Sequence, residues 1–354
     1  MRERIVHRVA HLIHTHTRMP DTLTTNAVLL FDRSARLRMQ FTGPKAAESL
    51  TGLVTNDVLS LRGGDGIYAC ALTQKGRIIA DVRIFAIAGD DGTVQTLLVD
   101  ANVAGGVGFA TMIRKYVNPR TATYADLSAS SSCLTMLGEN ALHLLTSLGA
   151  AAEVVAAVQT GAAFTHAVVT IAGVSARLIR APDLGSVELF DLIVDAPGRE
   201  AVQRALVDAG ALPSTDGEWH RRRVVAARPE WGIDMDEGTL AQEANMDALH
   251  AISYKKGCYT GQETVARVHF RGHVNRTLRR VSMPDGVVPA HGTPLLNAEG
   301  SAAGDVRSAA LDDGGEMVGI AMVRREVGDL DTLRWAGEDG LTHAVIVIGG
   351  PDED

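Results

Sequence analysis

Residues 255–263 read Lys255-Lys256-Gly257-Cys258-Tyr259-Thr260-Gly261-Gln262-Glu263, and the fold follows from how this stretch is read. A single thiol stands between two glycines, behind two lysines and ahead of a charged, amphipathic run. From Gln262 to Phe270 the apolar positions Val265, Ala266, Val268 and Phe270 keep neither a clean helical nor a clean strand period, but Gly261 followed by Gln-Glu marks a helix start. Cys258 then lies in the turn entering a helix N-terminus, with Lys255 and Lys256 beside it. Positive potential from both sources favours the thiolate, and Glu263 opposes it. Two readings stay open: a reactive thiol, or a buried structural cysteine, the common fate of a free Cys.

Working outward, 354 residues suffice for two or three lobes. A net charge of −8 argues against nonspecific nucleic-acid binding by the whole molecule, and no apolar run approaches the length of a membrane span. Cys70, Cys133 and Cys258 are far apart and make no C-x-x-C, so neither a disulfide framework nor a zinc site is expected. The same count argues against an iron–sulfur cluster held by this chain itself. A reducing compartment is expected: the cytoplasm, with the mitochondrial matrix as the alternative.

Residues 1–24 read as a poorly ordered extension. His7, His11 and His14 fall on one face if helical, but no fourth ligand follows, so no metal site is expected. Arg-rich, acid-poor composition also admits a transit peptide, and Met19 an alternative start. From Val28 the pattern becomes regular. Val28–Phe31 is a short apolar run, and Phe41-Thr42-Gly43-Pro44 opens a helix with Ala47, Leu50 and Leu53 inward. Strands are expected over 68–72, 77–88 and 93–99, with a hairpin turn at Gln74-Lys75-Gly76. Asp100 is expected to cap a helix running to about Tyr116. Gly105-Gly106-Val107-Gly108 inside it lacks the spacing and context of a nucleotide loop, so close helix packing explains it better.

A similar series starts at Cys133, with strands over 134–137, 164–171, 174–179 and 187–194. Helices fall over 139–148 and from Pro197 to near Gly210. The repetition predicts a pseudo-duplicated α+β core with antiparallel sheets. Residues 239–252 stay between helix and loop. Arg267, Arg271, Arg276, Arg279 and Arg280 cluster with His269 and His273, with no acid between Glu263 and Asp285. That excess suits an anionic ligand tail, an acidic partner protein or a solvated face. Beyond Val274, short apolar runs alternate with glycine turns, which predicts a small all-β barrel or sandwich.

The run Lys256-Gly257-Cys258-Tyr259-Thr260-Gly261-Gln262-Glu263, continued by Val265-Ala266-Arg267 and Phe270-Arg271-Gly272, resembles the signature of the YgfZ-type folate-binding proteins. These are a branch of the glycine-cleavage T-protein (aminomethyltransferase) superfamily. The resemblance implies binding of tetrahydrofolate or a one-carbon-substituted folate, and a part in assembling or repairing iron–sulfur clusters. The implied partners are folate and iron–sulfur client or assembly proteins, with no nucleic acid and no membrane. Thr42-Gly43-Pro44, Thr55-Asn56-Asp57-Val58 and Lys75-Gly76-Arg77-Ile78-Ile79-Ala80-Asp81-Val82 occur in the order of the superfamily's first lobe.

By that resemblance Asp81 matches the carboxylate that acts on the folate-linked one-carbon group. Ala80 stands where aminomethyltransferases usually show a second acid, so that chemistry is either retained in reduced form or abandoned. Glu188 matches the acid that pairs with the pterin ring, and Arg228 the arginine that helps line the folate site. Lys256, Tyr259 and Gln262 are candidate cofactor-binding residues, and Cys258 and Asp81 candidate catalytic ones. The implied organisation is a folate-binding region over 25–272, with lobes at about 25–127 plus 222–272 and at 128–221, and a C-terminal β-barrel over 273–354. The expected function is a folate-binding accessory protein for iron–sulfur clusters. The alternative is a folate-dependent aminomethyltransferase or demethylase.

Overall fold

In the computed structural model, which describes residues 27–349, the strands gather into three sheets. His7, His11, His14, Met19 and the extension 1–24 lie outside the described residues. The first sheet has five antiparallel strands. These are β2 (Arg36–Thr42), β3 (Gly66–Leu72), β4 (Ile78–Ala88), β5 (Val94–Asn102) and β6 (Thr123–Asp126), in the order β3-β4-β5-β2-β6. Side chains alternate across it. Ala80, Val82, Ile84, Val99 and Ala101 sink into a core with Leu50 of α1 (Ala46–Thr51) and Phe109 and Ile113 of α2 (Val103–Tyr116). The intervening residues Asp81, Arg83 and Asp100 leave from the other face, so that face is polar and still largely buried.

The second sheet repeats the plan. Its strands are β1 (Leu29–Asp32), β7 (Ser131–Leu137), β8 (His166–Ile171), β9 (Val174–Leu184), β10 (Val187–Asp195) and β11 (Leu212–Pro213), in the order β11-β1-β7-β10-β9-β8. Leu134, Met136, Phe190 and Leu192 pack against α3 (Ala141–Ser147), α4 (Ala152–Thr160) and α5 (Arg199–Asp208) through Leu145, Val158 and Val202. Each such fully buried aliphatic or aromatic side chain contributes roughly 1.5–3 kcal/mol. Phe85 and Leu98 from the first sheet meet Cys133, Phe164, Ile179 and Ile193 from the second lobe, which brings the two helix-free faces together. The α+β pseudo-duplication therefore places its polar strand faces inward. Residues 29–32 pair antiparallel with β7, Leu29 opposite Leu137, so the first described strand belongs to the second sheet and the chain crosses to the first near Arg33.

Two local expectations change. Thr42 ends a strand rather than opening a helix: Gly43 turns the chain at φ +107, where a Cβ would lie 2.8 Å from the Thr121 carbonyl, and α1 begins at Ala46. Asp100 is no helix cap; it is a fully buried strand residue, and Asn102 caps α2 by accepting from the Ala104 amide. The segment after Thr239 forms only a short turn over Ala241–Ala244, where Glu243 Oε2 accepts from the Leu240 amide at 2.9 Å. The glycines of α2 do serve close packing. A Cβ on Gly105 would lie 3.1 Å from Ala80, and one on Gly106 2.7 Å from Leu37.

The third sheet closes into a barrel. Its strands are β12 (Arg276–Ser282), β13 (Pro294–Leu296), β14 (Ala302–Leu311), β15 (Met317–Arg324), β16 (Thr332–Ala336) and β17 (Thr342–Gly349), in the order β12-β15-β14-β13-β16-β17. β16 escapes a search for apolar runs because only Leu333 and Trp335 turn inward. Outward-facing Leu278, Ile320 and Met322 of the barrel form one core with Leu72 and Ile78 of the first sheet and with Tyr259 and Val265. α6 (Asp216–Val225) lies against the barrel, and α7 (Gln262–Arg271) starts at Gly261, as its sequence predicts. Gly261 holds φ +86, and a Cβ there would come within 2.6 Å of the Thr73 carbonyl. Gly76, in the β3–β4 hairpin turn, would meet Thr264 of α7 at 2.9 Å in the same way. The two glycine motifs are thus locked against each other.

Candidate functional site

A cavity of about 400 Å³ opens between the inward faces of the two sheets. Tyr68, Phe164, Trp219 and Trp231 give it aromatic walls, and Leu184, Leu189, Ala163 and Pro182 an apolar side. Arg33, Arg36, Arg83, Arg223 and Arg228 line it together with Asp81 and Glu230. This volume falls within the usual range for small-molecule sites, and planar aromatics beside a few fixed polar groups suit a flat, hydrogen-bonding ring.

Buried carboxylates hold the arginines in place. Asp100 accepts from Arg36 Nε at 2.6 Å and from Arg83 Nε and a terminal nitrogen at 2.9 and 2.7 Å. Arg83 also donates to Asp191 of β10, so one guanidinium ties the two sheets. Burial pushes the Asp100 carboxyl up, but Arg36 and Arg83 outweigh it and hold the group below its ordinary value. Asp81 shows the opposite balance. Burial drives its carboxyl above the usual range, against Arg36 and a hydrogen bond from Tyr68. The Tyr68 hydroxyl donates to Asp81 Oδ2 at 2.8 Å, and Asp81 Oδ1 is buried with no hydrogen-bond partner among the described residues. Arg33 stacks over Trp219, 4.3 Å from the ring centre, and reaches Glu230 at 3.5 Å. Arg223 engages Glu230 at 3.0 Å and Asp234 at 2.5 Å.

The structure brings Asp81 and Arg228 to this cavity; Arg228 also donates to the Asp183 carbonyl at 3.0 Å. Cys258, Glu188, Lys256, Tyr259 and Gln262 are not among the described residues that line it. Glu188 leaves β10 on the side opposite Leu189 and accepts from Gln159 at 3.0 Å. Lys256 is buried: its ammonium donates to the Thr51 and Val54 carbonyls at the end of α1 and sits 4.7 Å over the Tyr259 ring. Burial pulls it down to about 8. Tyr259 is buried in the core shared with the barrel, and Gln262 opens α7. Cys258 is exposed, whereas Cys70 and Cys133 are buried. The thiol of the motif is accessible.

The motif segment is nevertheless stitched to the cavity wall. Thr55 Oγ1 accepts from the Cys70 amide and donates to the Ala251 carbonyl at 2.6 Å. The Asn56 amide donates to the Tyr68 carbonyl at 2.9 Å and to the His250 carbonyl at 2.8 Å. The Thr-Asn-Asp run therefore joins the strand bearing Tyr68 to the loop that leads to Cys258. Sequence reading missed Arg33, Arg36, Arg83, Trp219, Glu230 and Trp231. A signal existed for some: Asp81 and Arg83 are two apart on one strand, hence on one face, and Arg36 and Arg38 alternate with apolar Leu37 and Met39. Among the described residues no cluster of His, Cys, Asp or Glu is placed to hold a metal ion, and no helix is long and apolar enough to cross a membrane.

Comparison with known proteins agrees with this architecture. Residues 14–256 match the GCVT N-terminal domain. An aminomethyltransferase from Nostoc sp. is 26% identical over 327 residues, covering 92% of this chain and 85% of the relative. The tRNA-modifying protein YgfZ of Klebsiella pneumoniae is 28% identical over 284 residues, covering 79% and 80%. The mitochondrial iron-sulfur cluster assembly factor IBA57 homolog of Pyricularia oryzae is 30% identical over 310 residues, covering 83% and 71%. Among solved structures, the glycine cleavage system aminomethyltransferase T from Bartonella henselae superposes with a TM-score of 0.79 at 18% identity, covering 92% of this chain and 87% of its own, which shows a common fold. With the matched segment spanning most of the chain and both inward sheet faces, the chain belongs to the GCVT N-terminal domain family, within the T-protein superfamily that includes the YgfZ-type proteins.

Proposed function

We propose that the chain binds a reduced folate in the cavity between its two sheets and serves the assembly or repair of iron–sulfur clusters on other proteins, with Cys258 as the residue that acts on the partner. One observation carries the folate assignment: a half-buried carboxyl, Asp81, with an unsatisfied oxygen, set among arginines and aromatic walls in a cavity of about 400 Å³. When bound, a reduced folate supplies the nitrogen that carries a one-carbon unit. Tyr68, Phe164 and the tryptophans would hold its ring, Asp81 would accept an N–H, and the arginines would hold carboxylates. The cluster role is supported by relatives named as iron-sulfur cluster assembly factors. Cys258 enters as the exposed thiol of the motif.

Calorimetry with tetrahydrofolate tests the first part: saturable heat that is lost in Asp81→Asn is expected, and no heat or thermal shift with the wild type defeats it. Deleting the protein, assaying several cluster-dependent enzymes and attempting rescue with Cys258→Ser tests the second, with failure of rescue expected. A folate-dependent aminomethyltransferase or demethylase is the second reading. It is favoured by Asp81 lining the cavity while Cys258 stays outside it. If Asp81→Asn abolishes cellular function and Cys258→Ala does not, that reading replaces the first.

A further inference from the structure

We propose that Tyr68 is a positioning residue for Asp81: its phenolic O–H, held on Oδ2, keeps the carboxyl an acceptor and leaves Oδ1 to receive an N–H from the ligand. The inference rests on the folate reading above. Cys70 and Asp81 are register partners on β3 and β4, so Tyr68, two residues before Cys70 on the same face, reaches Asp81 diagonally at 2.8 Å. Its ring is stacked on Phe164, with centroids 6.2 Å apart and planes at 23°, which fixes the direction of the hydroxyl. The neighbouring acids are engaged, Asp100 by Arg36 and Arg83 and Glu230 by Arg223. Asp81 Oδ1 has no donor among the described residues. A buried acceptor without a donor costs free energy that a ligand N–H recovers.

The groups that face Asp81 are Arg36 from β2, Tyr68 and Cys70 from β3, Arg83 on its own strand and Glu230 from the loop after α6. Burial pushes Asp81 up, Arg36 and the Tyr68 hydrogen bond pull it down, and Glu230 pushes it up again. The phenol is itself driven well above its ordinary value, first by burial and then by Asp81, so it remains a donor wherever Asp81 titrates. A donor that persists in both states favours the ionised carboxylate over the neutral acid. Without the hydroxyl the Asp81 midpoint should rise by about one to two pH units.

Tyr68→Phe keeps the ring and its stack. Asp81 can be followed by NMR of isotope-labelled aspartate, alongside the tetrahydrofolate dissociation constant from about pH 5 to about pH 9. The expected result is an Asp81 midpoint raised by about one unit or more, an affinity profile that moves with it, and affinities that converge at the alkaline end. Asp81→Asn, with Tyr68 retained, should flatten the profile. A packing role alone would weaken binding by the same factor at every pH, and that result, or an unchanged Asp81 midpoint with intact wild-type binding, overturns this inference alone. Absence of tetrahydrofolate binding to the wild type at any pH overturns the folate reading and this inference together.

Discussion

Replacing Asp100 with asparagine probes the charge network on which the cavity is built. The carboxylate is fully buried and accepts three hydrogen bonds from Arg36 and Arg83, with an Arg38 terminal nitrogen 3.8 Å away. Asparagine keeps the shape but removes the charge and turns a donor group toward guanidiniums. Breaking a buried pair from one side typically costs about 3–5 kcal/mol. Arg83 still has Asp191, so the lower part of that range, about 3–4 kcal/mol, is expected. Unfolding entropy of about 2.1 cal/mol/K per residue gives roughly 0.7 kcal/mol/K over the chain, hence a fall in Tm of roughly 4–5 °C by calorimetry at neutral pH. The pH dependence has a defined sign. Asp100 is held below its unfolded value, so its contribution is present above the ordinary carboxylate range and is lost as pH falls through the folded value. The gap between variant and wild type should therefore narrow in acid, below about pH 4. A Tm within about 1 °C of wild type, or a gap that stays constant into strong acid, would refute the reasoning.

Other outcomes follow from single features. Gly261→Ala forces a left-handed alanine and sets its Cβ 2.6 Å from the Thr73 carbonyl, so a loss of about 2 kcal/mol or more is expected by denaturant titration. Gly257→Ala, with nothing within 4 Å of its Cβ, should be close to neutral; equal losses would dissolve the argument. Iodoacetamide should label Cys258 in the native protein well before the others, because Cys70 and Cys133 are buried and burial drives Cys133 up to about 12. Equal rates would show that exposure does not set reactivity here. His166 is buried beside Arg177, which together hold its imidazole down at about 4. Its folded value lies below its unfolded one, so stability should fall as pH drops from about 6.5 toward 4, by at most about 1.4 kcal/mol per unit. His166→Gln should lose that slope, and an unchanged slope would assign it to other groups.

The sequence was most legible where local rules act alone. Gly261 before Gln-Glu located α7, glycine-punctuated apolar runs located the barrel, and the repeated strand and helix order gave the duplicated core. It was least legible where burial inverts the usual meaning of charge. Arg36-Leu37-Arg38-Met39 alternates as a half-exposed strand should, but Arg38 is fully buried, donating to Ser131 and to the Ser34 carbonyl. Asp100 looked like a cap because its role depends on arginines 64 and 17 positions away. The cavity shares this difficulty: Arg33, Asp81, Trp219 and Glu230 converge only after the two sheets face each other. Lys256, which from its neighbours looked like a partner of the thiol alone, still feels Cys258 but is also buried at the end of α1, where it donates to the Thr51 and Val54 carbonyls.

The Asn56 amide has a consequence for how the chain responds to occupancy. Both of its hydrogens are committed, one to a carbonyl of the strand that carries Tyr68 and the other to His250, which sits in a left-handed turn at φ +51. Two pieces of backbone nearly two hundred positions apart are therefore pinned together by Asn56 and, beside it, by Thr55. Displacing the Tyr68 strand would therefore pull on the segment that leads to the exposed thiol.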